Sequence, residues 1–89
     1  MKLFKSIDDK FKEIGFIKID EDEYGVLYRR EEVKYNYAHC IEIIHKLSGR
    51  HIVISYQKDI NNEGFNNAVG LTVYETKLVL KKIKKMGLM

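Results

Sequence analysis

The chain has 89 residues, of which 45% are hydrophobic and 33% charged, with one cysteine, no proline and no tryptophan. This suits a single globular domain over residues 1–89, excludes a disordered chain, and leaves no route to an intrachain disulfide or a cysteine-based zinc cluster. The net charge of +3 is unevenly spread: residues 71–89 carry five lysines against Glu75, a net +4, while residues 1–70 hold 11 bases and 12 acids, a net −1.

Residues 2–14 read as an amphipathic helix, because Leu3, Phe4, Ile7, Phe11 and Ile14 share one arc of about 100°. Charges interrupt this segment every few residues, so it reads neither as a signal peptide nor as a membrane span, and a cytoplasmic protein is expected. Gly15 fits the left-handed position after a helix, with Phe16 folding back onto it. "FIKID", the charged turn "EDEYG" and "VLYRREE" predict a β-hairpin.

"AHCIEIIHK" and "HIVISYQK" are β-branched, alternating runs separated by "LSGR", and predict a second hairpin. Pairing Lys46 with His51 across that turn sets a register in which His45 faces Ile52, Ile43 faces Ile54 and Ile41 faces Tyr56. Those pairs would lie under the helices. The opposite face, with Ile44 beside Val53, is then a candidate homodimer surface. Residues 58–70, "KDINNEGFNNAVG", read as a long Asn-rich loop pinned by Phe65.

"LTVYETKLVLKKIKKMG" predicts the last helix, opened by a Thr72–Glu75 capping box and closed by Gly87. Val73, Val79, Leu80, Ile83 and Met86 form its expected buried stripe. The fold class is α+β: a three- to four-stranded antiparallel sheet with an N-terminal and a C-terminal helix packed on one face, in the order α-β-β-β(-β)-α.

Chemistry-bearing motifs are few. There is no P-loop, dinucleotide glycine motif or H-E-x-x-H. His39 and Cys40 are neighbours on a strand and point to opposite faces. His39 and His45 share a face but lie ~20 Å apart at 3.3 Å per residue, too far for one zinc ion. Asp20, Glu21, Asp22 and Glu23 read as a solvated hairpin tip. In "YRREEVKYNYAHC", Arg29, Arg30 and Lys34 alternate with Tyr28, Tyr35 and Tyr37, a pattern that can stack bases, but Glu31 and Glu32 offset the arginines. No catalytic residue, metal or cofactor is assigned, and an enzyme is not expected.

The lysines of the last helix are the remaining signal. Lys77, Lys81, Lys82, Lys84 and Lys85 spread over an outward face of about 160°, with Tyr74 and Leu78 among them. The partner-binding candidates are Tyr74, Lys77, Leu78, Lys81 and Lys85, offered to an unknown protein or another acidic macromolecule.

The stop at Ile14, Gly15 and Phe16, the strands, and the closing helix opened by Leu71, Thr72 and Glu75 together resemble a group of short, uncharacterised proteins of phages and prophages from Gram-positive bacteria. The resemblance implies a small phage-borne accessory protein and names no activity. The α-β-β-β-α order is also similar to the double-stranded-RNA-binding domain. That resemblance implies the alternative, a nucleic-acid-binding domain using the basic C-terminal helix. About five phosphate contacts would then give a salt-dependence slope near −4 on duplex DNA.

Overall fold

A computed structural model describes residues 5–61 and 66–86. The chain runs as helix α1 (Ile7–Glu13), strands β1 (Ile17–Asp22), β2 (Gly25–Glu32), β3 (Tyr37–His45), β4 (His51–Asp59) and β5 (Asn66–Ala68), and helix α2 (Val73–Lys85). The five strands form one antiparallel meander in the order β1-β2-β3-β4-β5. Both helices lie on one face of it, giving a two-layer slab 23 Å thick in its shortest dimension. The α+β layout matches the sequence expectation, with one strand more.

Helix α1 starts later than its apolar periodicity predicts. Ser6 caps it: its Oγ accepts from Asp9 N at 3.1 Å while Asp9 Oδ2 accepts from Ser6 N. This reciprocal pair satisfies two donors that a helix end leaves open. Leu3 and Phe4 of the expected stripe lie outside the described residues. The stop is as predicted: Gly15 has φ +92°, its N–H donates to Lys12 O, and Phe16 N–H donates to Phe11 O at 2.9 Å. That pattern reverses the chain and drives Phe16 into the core.

The first hairpin closes through Glu23 and Tyr24, with Asp22 opposite Gly25. Gly25 has φ +151°, and a Cβ there would collide with the Ile43 carbonyl oxygen of β3. Strand β1 carries a bulge between Lys18 and Asp20. The bulge puts both Lys18 and Glu21 on the helix side, opposite Tyr28 and Val26.

The second hairpin is shifted by one residue from the expected register. His45 pairs with His51, Ile43 with Val53 and Ile41 with Ser55. The cause is the turn. Gly49 N–H donates to Lys46 O, Lys46 N–H donates to Arg50 O, and Gly49 sits at φ +87°. The loop is therefore three residues closed by a left-handed glycine, not four, and a one-residue slip exchanges the faces of β4. Val53 moves to the helix side, where it is 39% exposed. Ile52, Ile54 and Tyr56 turn to the open side, beside Ile44, Glu42 and Cys40.

Strand β5 arises where the Asn-rich loop was expected: Asn66, Asn67 and Ala68 pair with Lys58, Gln57 and Tyr56. Phe65 lies outside the described residues. The core is Phe11, Phe16, Val26, Tyr28, Ile41, Ile43, Leu78, Val79 and Ile83. Phe11 lies on the Tyr28 ring at 4.0 Å and meets Phe16 edge-on at 6.1 Å, the two arrangements that aromatic quadrupoles favour.

Candidate functional site: the exposed face of the C-terminal helix

Helix α2 opens on the predicted capping box. Thr72 Oγ1 accepts from Glu75 N at 3.1 Å, and Glu75 Oε1 accepts from Thr72 N at 2.9 Å. The second oxygen of the buried Glu75 lies 3.6 Å from Arg30 of β2. Arg30 stacks over Phe16 at 4.5 Å and donates to the Ile14 carbonyl at 3.2 Å. One arginine thus ties the start of α2 to the end of α1.

The other anchor is Lys82. Its side chain is 7% exposed, and its Nζ lies 3.2 Å from Asp8 Oδ1 and 3.1 Å from Glu21 Oε1. Lys18 reaches the same two carboxylates at 3.0 and 2.8 Å. The Tyr28 hydroxyl donates to Asp8 at 2.6 Å. Two bases, two acids and a phenol join α1, β1, β2 and α2.

Burial alone would raise the Asp8 pKa, but hydrogen bonds from Tyr28, Lys18 and Lys82 outweigh it and hold it at about 2, against an ordinary 3.8. Hydrogen bonding from Lys18 likewise lowers the carboxyl of Glu21. A depressed carboxyl stabilises the fold above its unfolded pKa and loses that contribution as pH falls through the folded value. The Asp8 shift corresponds to roughly 2.4 kcal/mol, and screening of a side chain 34% exposed reduces this to about 1 kcal/mol. Urea unfolding between pH 5 and pH 2 should show that loss concentrated between pH 4 and 2. Asp8→Asn should remove it, and an unchanged pH slope in the variant would refute the assignment.

These anchors turn α2 by about 80° from the orientation its apolar residues suggest. The buried positions are Glu75, Leu78, Val79, Lys82 and Ile83, the i, i+3, i+4, i+7, i+8 set of a single face. Leu78, expected on the partner-binding face, is 1% exposed and belongs to the core. Lys82, expected outward, is buried. Val73 and Leu80, expected inward, are 74% and 51% exposed. Gly87 lies outside the described residues.

The structure leaves Tyr74, Lys77, Lys81 and Lys85 exposed and adds Val73, Leu80 and Lys84 to them. The seven span an arc of about 140° and a length of ~18 Å. The only acid of α2, Glu75, is on the buried side. The four exposed lysines form no ion pair among the described residues.

The other sequence candidates disperse. Tyr28 is in the core, Tyr35 is exposed and Tyr37 half-buried. Arg29 lies on the open sheet face beside Glu31, whereas Arg30 lies on the helix side beside Glu32 and Glu75. His39 Nε2 meets Ser55 Oγ at 2.6 Å, and burial pushes the imidazole pKa below the ordinary histidine value. His45 faces His51, not Ile52, with their Nδ1 atoms 3.2 Å apart. Among the described residues, no group of three or more His, Cys, Asp or Glu is placed to hold a metal ion. No described helix is long and apolar enough to cross a membrane.

The fold and this surface define a two-layer α+β domain with an open sheet on one side and a basic, partly apolar helix on the other. Set against protein-family models, curated proteins and solved structures, the chain matches none of them.

Proposed function

We propose that this is a phage- or prophage-derived accessory protein that acts as a macromolecular binding module, and that it engages an acidic protein surface through Tyr74, Lys77, Leu80, Lys81 and their neighbours on α2. The observation that carries this reading is the pairing of exposed apolar side chains, on one helical face, with lysines that form no ion pair among the described residues. Lys77, Lys81 and Lys85 stand at i, i+4 spacing, where like charges cost about 0.2–0.5 kcal/mol per pair. The helix dipole offsets this only in the last turn. A face serving solvation alone gains nothing from that repulsion, whereas an acidic partner relieves it. The exposed Val73, Tyr74 and Leu80 supply the apolar contact that such an interface needs at its centre.

The test is capture of a host protein by the wild type, by Lys77→Gln/Lys81→Gln/Lys85→Gln and by Tyr74→Ala/Leu80→Ala, beside gel shifts with duplex DNA and RNA. A protein partner released by both variants is the expected result. A partner kept by both removes α2 as the surface. A gel shift lost in the triple variant would instead support nucleic-acid binding. With Lys82 buried, four lysines remain, and the salt slope on duplex DNA would be about −3.6.

A further inference from the structure

Among the described residues, no element covers the side of the sheet away from the helices, and the strand pairings place its residues in four rows. Reading from β1 outward, the rows are Asp22–Gly25–Ile44–Ile52, then Asp20–Leu27–Glu42–Ile54, then Ile17–Arg29–Cys40–Tyr56–Ala68, then Glu31–Ala38–Lys58–Asn66. Leu27, Ile44, Ile52, Ile54 and Tyr56 are contiguous in this grid. Glu42 is the one charge among them. The Tyr56 phenol lies diagonally across from it, and burial first, then the neighbouring Glu42 carboxylate, raise the pKa of that phenol.

We infer that this open face is the contact between two copies of the chain, packed sheet against sheet about a twofold axis. Two observations select a second copy as the occupant. The first is area. At ~16 Å² per residue of flat sheet, the 35 strand residues offer about 550 Å² before side-chain relief is added. That approaches the ~800 Å² each partner buries in a standard interface. The second is charge. Asp20 and Asp22 hold one corner of the face and Lys58 the diagonally opposite corner. An axis along the other diagonal, in the plane of the contact, lays each acidic corner over Lys58 of the second copy. The acidic corner is also concave: a hollow of about 290 Å³ is lined by Asp20, Asp22, Tyr24, Leu27, Glu42 and Ile44. It is wide enough to receive a lysine side chain whose stem packs on Leu27 and Ile44. A face that is apolar in the middle and oppositely charged at two corners is complementary to itself, as a twofold contact requires.

The inference does not depend on the α2 reading, because α2 lies on the far side of each slab. If both hold, the dimer carries two basic helices on opposite outer surfaces and binds bivalently.

Sedimentation equilibrium over a concentration series tests it. The wild type should have twice the 10.5 kDa chain mass at micromolar to submillimolar concentration, and Ile54→Glu should reduce it to monomer with an unchanged far-UV spectrum. Lys58→Glu should weaken the dimer, and Asp20→Lys/Asp22→Lys in the same chain should restore it. Restoration reports the contact even if Ile54→Glu fails to fold. The triple lysine-to-glutamine variant of α2 should remain dimeric. A monomeric wild type overturns the inference. So does a dimer that survives both Ile54→Glu and Lys58→Glu.

Discussion

Leu78→Ala should lower the stability of this domain by about 2–5 kcal/mol, the cost of deleting a fully buried leucine and leaving its cavity. Leu80→Ala, two residues later, should change it by no more than about 0.5 kcal/mol. The pair is informative because the helix alone does not distinguish them. Leu78 is 1% exposed among Phe11, Val26, Ile41 and Ile83, and Leu80 is 51% exposed. A domain this small has roughly 5 kcal/mol to lose. In urea, at ~1 kcal/mol per molar for a small protein, Leu78→Ala should move the midpoint by 2 M or more. Equal shifts, or a larger one at Leu80, would mean that α2 faces the sheet through Val73 and Leu80 instead. If Leu78→Ala is too unstable to purify, Leu78→Met against Leu80→Met gives the same ordering at smaller amplitude.

Lys82→Glu should be as damaging, by about 3–5 kcal/mol, whereas Lys81→Glu should be tolerated. Lys82 reaches Asp8 and Glu21 from a nearly closed site. Reversing its charge places three carboxylates around Lys18, and an uncompensated charge that cannot reach water is among the costliest single changes. Lys82→Met is the control: it keeps the apolar stem, and Asp8 and Glu21 keep Lys18 and Tyr28, so its cost should be well below that of the reversal. Thermal melts of the three variants at neutral pH decide the matter. Comparable losses for Lys81→Glu and Lys82→Glu would show that the two lysines are equivalent surface charges.

Much of the architecture was legible because it rests on local chemistry. Thr72 and Glu75 make a capping box wherever the helix goes, and Gly15 with Phe16 ends α1 by backbone bonds within five residues. The face of α2 was not legible, for a definite reason. Its apolar residues fit two overlapping arcs, one through Val73 and Leu80, the other through Leu78 and Ile83. A lysine at the centre of the second arc argues against burying it. What reverses that argument is a pair of carboxylates contributed by α1 and β1, 74 and 61 positions away. The β4 register failed on a smaller ambiguity, whether "LSGR" is a loop of four residues or three. Only the left-handed Gly49 resolves it, and every side chain of β4 then changes face. The outward face suffered the first error directly: Leu78 and Lys82 left it, and Val73 and Leu80 joined.

The meander has a consequence for how the chain assembles. Each strand pairs only with its sequence neighbours, so the sheet can zip hairpin by hairpin with little loop-closure cost, the pattern of a fast folder. The Lys82 bridges to Asp8 and Glu21 are different: they join the beginning of the chain to its end. During synthesis α1 and β1 to β4 emerge before α2, and until Lys82 clears the ribosome Asp8 and Glu21 have Lys18 as their only basic partner in the described contacts. Helix α2 is therefore the latch of the fold, because the bridges from Asp8 and Glu21 to α2 cannot form until Lys82 has been made.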